Sequence, residues 1–134
     1  MKETTRIVGA DAAFGETNNL PREPFAVIVY IHVKPECVIE FKQILNQVAD
    51  AAKVESSLIS NIAHQDPEDE TKFMLWEMWA DQKEFFEVQM LRDYRKPYEA
   101  RLVELLAEPR EVRIWNPLRG HVALNLPNKL AATK

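Results

Sequence analysis

The 134-residue chain is long enough for one domain with a buried core and too short for two comfortable ones. Hydrophobic residues make up 46% of it and charged residues 28%, and a net charge of −4 without a basic stripe argues against nucleic acid as a partner. The single cysteine, Cys37, excludes an intrachain disulfide and fits a reducing compartment, and no apolar run is long enough to span a membrane. These features predict a soluble, cytoplasmic protein.

Both ends of the chain lack the pattern of a core. Residues 1–24 mix Gly, Pro, Asn and charged residues around one short apolar pair, so we expect a flexible N-terminal arm. Residues 116–134 form a similarly irregular C-terminal tail. Three apolar residues of this tail alternate as in a short strand: Val122, Leu124 and Leu126. The folded domain is therefore predicted at residues 25–115.

The domain opens with a strand predicted over Phe25 to Val33, whose β-branched and aromatic residues occupy both faces. Pro35 then begins a helix at a position where its missing N–H costs nothing. Apolar residues at helical spacing continue this helix: Val38, Phe41, Leu45, Val48 and Ala52.

Two more strands, Ser57 to Gln65 and Lys72 to Ala80, flank a polar turn. Asp81 is the expected N-cap of the next helix, and Glu84 stands where a capping box places its acid. A further helix follows, and the last strand covers Glu111 to Trp115.

The order strand, helix, strand, strand, helix, helix, strand predicts an α+β fold, a ferredoxin-like sandwich with its helices on one face of the sheet. The first and third strands are apolar on both faces, and the helices are too few to cover both. Because an uncovered apolar face is normally an interface, we expect a homodimer that packs sheet against sheet as a dimeric α+β barrel. Trp76 would lie on this dimer face.

Four segments carry a family resemblance: VKPE at the first strand–helix junction, Glu55 before the second strand, EMWAD at the end of the third, and EVRIWNP in the last. They resemble the antibiotic biosynthesis monooxygenase family of small dimeric α+β-barrel proteins, from about Phe25 to Trp115. That family includes cofactor-independent oxygenases of quinols and polycyclic phenols, haem-degrading enzymes, and proteins without an assigned activity.

The chain departs from the family pattern at several positions. Val88 and Asp93 stand where members often carry histidine, and Asn61 stands where the second strand often has tyrosine. The haem-degrading branch needs an asparagine in the first strand and an axial histidine on the helix, and neither is at the matching place. The resemblance therefore implies no haem and no other cofactor.

Glu77 and Trp79 share one face of the third strand with apolar residues. The resemblance implies an oxygenase site in which Glu77 is the general base, with desolvation tuning its carboxyl group. The alternative is a structural carboxylate paired with an arginine or a backbone donor. Trp79, Asn61, Gln89 and Tyr94 are the expected donors or walls of a substrate site, although Trp79 is equally compatible with a place in the core.

The three histidines, His32, His64 and His121, are scattered along the chain. Because a metal site needs ligands that converge, and no spacing typical of ligands occurs, we expect no metal site.

The leading functional hypothesis is a cofactor-independent monooxygenase that acts on an electron-rich aromatic of the quinol or phenol type. One alternative is a non-catalytic dimer that binds a small apolar molecule or another protein on the same fold. A second is an isomerase or another acid–base enzyme that uses the same carboxylate, since folds of this class host several chemistries.

Overall fold

The computed structural model describes residues 4–8, 19–122 and 126–130, and within them five strands form one sheet against three helices. The strands are β1 (Thr5–Val8), β2 (Phe25–His32), β3 (Leu58–Asp66), β4 (Asp69–Trp79) and β5 (Arg110–Trp115). The helices are α1 (Val38–Ala52), α2 (Gln82–Glu87) and α3 (Arg95–Leu105), with 3-10 turns at Pro35–Cys37 and Gln89–Leu91. The spatial order of the strands is β1-β5-β2-β4-β3. The predicted ferredoxin-like α+β fold is confirmed.

Strand β2 lies in the centre of the sheet and pairs antiparallel with both β4 and β5. Its register places Val27 opposite Glu77 on β4 and opposite Ile114 on β5. Because side chains alternate along a strand, this register assigns each residue of the three strands to the helix-facing side or to the outer side. Phe25, Val27, Val29 and Ile31 face the helices and are all buried.

Helix α1 closes the helix-facing side with the apolar stripe that its sequence predicts. Its buried residues include Phe41, which is fully buried, and the ring of Phe41 packs 4.7 Å from that of Phe73. The helix proper begins at Val38, because the turn that Pro35 opens is of the 3-10 type.

The predicted cap of α2 is confirmed, since the Asp81 carboxylate accepts a 3.0 Å hydrogen bond from the Glu84 backbone N–H. The Glu84 side chain has a different partner from the one that a capping box predicts. It accepts a 2.8 Å hydrogen bond from the Gln89 amide.

Strand β1 lies in the segment for which the sequence predicts a flexible arm. It pairs parallel with β5, with Thr5 opposite Arg110. The Arg110 backbone N–H donates 2.9 Å to the carbonyl of Thr4, and Arg6 forms a 3.0 Å ion pair with Glu111. Edge pairing of this kind uses backbone groups, so a short strand with little apolar pattern leaves no clear signal in the sequence.

The C-terminal tail contacts the domain through two of its described residues. The Asn128 amide donates 2.9 Å to the Asn46 side chain on α1, and Leu130 packs against the core. The short strand expected in this tail includes Leu124, which lies outside the described residues. The domain limits of 25–115 stay a prediction.

The outer side of the sheet carries large apolar side chains that none of the described helices covers. Tyr30 is 46% exposed and Trp115 54%, and Trp76 lies on this side as predicted, opposite to the side of Glu77. None of the helices in the described part of the chain has the length and apolarity needed to cross a membrane.

Candidate active site

A cavity of about 270 Å³ lies between the helix-facing side of the sheet and the helices. Its apolar wall comes from the sheet residues Val27, Val29, Leu75 and Val112 and from the α1 residues Leu45 and Val48. The polar residues that line it are Thr5, Asn61, Glu77, Arg95, Tyr98, Glu99 and Arg110. An apolar cavity with a few polar groups is the usual form of a site for a small organic molecule.

Glu77 lies half-buried on β4 and lines this cavity. One of its carboxylate oxygens accepts a 2.9 Å hydrogen bond from the indole N–H of Trp79. Asn61 lies beside it on the neighbouring strand, directly opposite in the register. The indole bond holds the carboxylate in one orientation, which is what a general base at the edge of an apolar cavity requires.

Trp79 is fully buried and is not among the residues that line the cavity. The single indole N–H of Trp79 donates to Glu77, so it is not free to act as the expected donor to a substrate. The structure assigns the residue to the core, where its ring packs 5.1 Å from that of Phe85 and its N–H orients the carboxylate.

Arg95 and Tyr98 are cavity residues that the sequence analysis missed. The Arg95 guanidinium carbon lies 5.9 Å from the ring centroid of Trp79 and 5.6 Å from that of Phe85. The Arg95 Nε and the Tyr98 hydroxyl are both buried, and neither has a hydrogen-bond partner within residues 4–8, 19–122 and 126–130. Two buried donors without acceptors beside one cavity indicate that the acceptor comes from a bound molecule or from water.

Burial raises the pKa of Tyr98, and the negative charges of Glu99 and Glu77 raise it further against the opposing effect of Arg110 and Arg95. The hydroxyl is therefore neutral at physiological pH and acts as a hydrogen-bond donor rather than as a base. The sequence does indicate that Arg95 and Tyr98 lie on the same face of a helix, because they are three residues apart. Tyr98 also fits the apolar stripe of α3, and this pattern predicts only a core position.

Gln89 and Tyr94 lie away from the cavity, in a separate polar cluster around Glu55. The Tyr94 hydroxyl donates 3.0 Å to Glu55 Oε2, and Arg92 forms a 3.0 Å ion pair with the same carboxylate. The Gln89 amide, 2% exposed, donates to Glu84 and more weakly, at 3.3 Å, to Glu55. Of the five expected site residues, the structure thus brings Glu77 and Asn61 to the cavity, places Trp79 behind them, and uses Gln89 and Tyr94 elsewhere.

The hydrogen bonds of this cluster change the acidity of its central group. Burial raises the pKa of Glu55, but hydrogen bonds from Tyr94, Gln89 and Arg92 outweigh it and hold the pKa below its ordinary value. The pKa of Tyr94 is raised, most strongly by burial and next by its hydrogen bond to Glu55. A carboxylate held ionised by three donors is suited to joining elements rather than to accepting a proton.

The family model of antibiotic biosynthesis monooxygenases matches residues 24–100. The chain belongs to the antibiotic biosynthesis monooxygenase family. The matched segment takes in Glu77, Arg95 and Tyr98, whereas Thr5 and Arg110 lie outside it.

Relatives of this monooxygenase family member are distant in sequence. A protein of Pestalotiopsis microspora, provisionally named a monooxygenase, is 28% identical over 102 residues, which is 75% of this chain and 85% of the relative. Solved structures from Mycobacterium tuberculosis (Rv0793; TM-score 0.68, 19% identity) and Methanosarcina mazei (a conserved protein; TM-score 0.62, 24% identity) share the fold. The first likeness covers 75% of this chain and 100% of that one, and the second covers 70% and 92%.

The two positions where the antibiotic biosynthesis monooxygenase family often has histidine lie outside the cavity of this member. Val88 is 39% exposed, and the Asp93 side chain is 91% exposed and pairs with Lys96 at 2.8 Å. Neither Val88 nor Asp93 lines the cavity, so a proton acceptor in the cavity has to come from another part of the chain. Among the residues that the structure describes, no three His, Cys, Asp or Glu side chains are grouped so that they could hold a metal ion.

Proposed function

We propose that this family member is a monooxygenase that oxidises an electron-rich aromatic of the quinol or phenol type without a bound cofactor. The observation that carries the proposal is that one apolar cavity has an oriented carboxylate together with two buried donors for which the described part of the chain offers no acceptor. Glu77 is the proton acceptor, and Arg95 with Tyr98 holds the oxygen on which negative charge develops. Family membership and the provisional name of the Pestalotiopsis microspora relative support the same reaction class.

The proposed reaction needs no external reductant. Glu77 removes an acidic proton from the aromatic substrate, and the charge delocalises onto an oxygen that the Arg95 and Tyr98 donors stabilise. The anion transfers an electron to O2, and recombination at the activated carbon forms a peroxide. Loss of water then leaves a carbonyl group, so that the phenol, whose keto tautomer has a methylene group at this carbon, and O2 become a quinone and water. All four electrons that reduce O2 come from the substrate.

The apolar walls have a separate part in this chemistry. Val27, Val29 and Leu75 bind the ring system and exclude water. In a cavity with little water, the donors act on the anion more strongly than they would in solvent.

The test is oxygen consumption with anthrone and a panel of reduced quinols, with no flavin or metal added. We expect uptake of O2 and one labelled oxygen atom in the product when 18O2 is supplied. Glu77→Gln keeps an oxygen that accepts the indole bond but removes the base, and it is expected to lower the rate by about a hundredfold or more. Glu70→Gln, the same change at an exposed position on the same strand, is the control and is expected to leave the rate unchanged.

A second candidate function is that of a non-catalytic dimer that binds a small aromatic molecule. It is favoured by Val88 and Asp93, which stand exposed where members of the family often carry histidine. Aromatic binding at the cavity without oxygen uptake across the whole panel would establish it in place of the oxygenase. A folded Glu77→Gln variant with unchanged turnover would instead make the carboxylate structural.

A further inference from the structure

Strand β1 supplies one end of the cavity although it precedes the segment that the family model matches. Thr5 lines the cavity, and its hydroxyl oxygen accepts a 2.9 Å hydrogen bond from the Arg110 Nε. The parallel pairing of β1 with β5 holds Thr5 directly opposite Arg110. The cavity end at β1 thus comes from a segment outside the residues that the family model matches.

Three polar residues meet at this end of the cavity. Besides its bond to Thr5, Arg110 donates to the Glu99 carboxylate on α3, and all three residues line the cavity. The Arg110 side chain is only 13% exposed. A guanidinium has five N–H donors and a carboxylate has several acceptor positions, so this pair has both kinds of group left for a ligand. Because the two charges offset each other, the end is suited to a neutral hydroxyl better than to an anion.

Arg110 at this end lies well away from the proposed base, Glu77. Glu77 on β4 and Arg110 on β5 flank the central strand β2, which separates them by two strand spacings, about 10 Å. Glu77 is level with Ile114 through their common neighbour Val27, and Arg110 lies four residues before Ile114, about 13 Å along the strand. The wall between Glu77 and Arg110 includes Val29 and Val112 and is apolar.

We propose that the cavity binds an elongated aromatic phenol that carries a second hydroxyl group remote from the group that Glu77 deprotonates, and that Thr5, Glu99 and Arg110 bind this hydroxyl. Strand β1 is then a specificity element. Thr5 positions the Arg110 guanidinium, which donates a hydrogen bond to the hydroxyl oxygen, while the Glu99 carboxylate accepts a hydrogen bond from the hydroxyl group. The aromatic class rests on the proposed function, whereas the second hydroxyl is inferred from this end of the cavity alone.

The test compares three rod-shaped ligands by calorimetric titration under nitrogen: 4-phenylphenol, 4,4′-dihydroxybiphenyl, and 4′-hydroxybiphenyl-4-carboxylate. We expect the diol to bind about tenfold more tightly than the mono-phenol, beyond the roughly twofold advantage of its two equivalent orientations. The carboxylate should bind no more tightly than the mono-phenol, because the charges of Arg110 and Glu99 offset each other at this end.

Thr5→Val keeps the shape of the side chain and suits a strand, but removes the acceptor for Arg110. It should abolish most of the advantage of the diol while leaving the affinity for 4-phenylphenol unchanged. Thr5→Ser restores the hydroxyl and should restore the advantage. Arg6→Ala, on the same strand but in an exposed ion pair with Glu111, should have no effect on either affinity. A purely structural role of Thr5 would weaken all ligands alike.

Each outcome decides the proposal. Equal affinities for diol and mono-phenol, an advantage that survives in folded Thr5→Val, or no binding of any ligand would overturn it. The oxygenase proposal is judged separately by oxygen uptake. A Thr5-dependent advantage of the diol in a protein that consumes no oxygen would support the specificity site and refute the oxygenase. Oxygen uptake without such an advantage would support the oxygenase and refute the specificity site.

Discussion

Tyr98 and Arg95 hold buried polar atoms that have no hydrogen-bond partner among the residues that the structure describes. A buried donor without an acceptor typically destabilises a fold by about 1 to 3 kcal/mol, so such atoms are rare in native structures. They are typical of binding sites, where a polar group without a partner lowers the stability of the fold but can form a hydrogen bond with a ligand. Removal of the Tyr98 hydroxyl therefore distinguishes a functional role from a structural one. If the role is functional, stability should rise and turnover should fall.

Tyr98→Phe removes the hydroxyl and keeps the ring. We expect the free energy of unfolding to rise by about 1 kcal/mol, because an unsatisfied buried group disappears. We expect kcat/KM for an aromatic substrate to fall by about tenfold, because a donor to the anion is lost. Urea denaturation and oxygen uptake measure the two quantities. A loss of stability in this variant would mean that the hydroxyl has a structural partner.

Trp79→Phe tests whether the orientation of Glu77 contributes to turnover. The change removes the 2.9 Å indole bond but retains an aromatic ring in the core. The base remains, so the loss of kcat should be several-fold, well below the loss of about a hundredfold expected for Glu77→Gln. Steady-state oxygen uptake with both variants checks the order. A larger loss in folded Trp79→Phe than in Glu77→Gln would contradict this assignment.

Among the secondary-structure elements, the cluster around Glu55 joins segments that are distant in the sequence. Glu55 precedes β3, Gln89 lies in the second 3-10 turn, and Arg92 and Tyr94 precede α3. The Glu55 side chain is only 12% exposed, so its bonds are better shielded from solvent than those of surface pairs. The cluster explains why Gln89 is buried and Tyr94 partly buried although neither residue lines the cavity.

Stability should depend on pH through Glu55. Its pKa in the folded protein lies below the ordinary value of 4.5, so its contribution is present above about pH 4.5 and is lost as the pH falls through the folded pKa. At pH 7, Glu55→Gln should lower the free energy of unfolding by about 1 to 3 kcal/mol. The difference from the unaltered protein should shrink in acid. Thermal denaturation between pH 3 and pH 7 would measure this.

Glu40→Gln is the matched control for this experiment. Glu40 also has a lowered pKa, through its hydrogen bond with Arg101, but both side chains of that pair are more than 40% exposed. Exposed pairs contribute little to stability, so this variant should differ little from the unaltered protein at any pH. A difference between Glu55→Gln and the unaltered protein that stays constant across this range would contradict the assignment to Glu55.

The whole molecule presents an uncovered apolar surface on the outer side of its sheet. Tyr30 and Trp115 are about half exposed there, beside Ile28, Met74 and Trp76. A surface of this kind in the middle of a sheet is typical of an interface. We therefore retain the prediction of a homodimer that packs sheet against sheet, which leaves the cavity on the other side of each sheet accessible.

Trp76→Glu places a charge in the middle of this surface and is expected to convert a dimer to monomers at micromolar concentration. Light scattering coupled to gel filtration would measure the mass. Ile39→Glu introduces the same charge at a residue that is 69% exposed on α1, and it should leave the dimer intact. A monomeric unaltered protein, or equal effects of both changes, would refute this interface.

Much of the fold follows from the sequence, because its signals are local. The alternation in β2 and β4, the apolar stripe of α1, and the cap at Asp81 involve residues within a few positions of one another, so they are visible without a structure. The face that Glu77 shares with Trp79 follows from the same alternation. A lone acid on an apolar strand face is thus visible in the sequence, and Glu77 lines the cavity.

Only the tertiary structure decided which side chains surround Glu77. Arg95 and Tyr98 reach the cavity from α3, Thr5 reaches it from an edge strand, and Gln89 and Tyr94 are drawn to Glu55 instead. These placements depend on contacts between residues up to about a hundred positions apart, and long-range contacts leave no periodic pattern in a single sequence. The sequence by itself determined the elements from β2 to β5, their order and the candidate base. The packing of α3 on the sheet and the pairing of β1 with β5 determined the site.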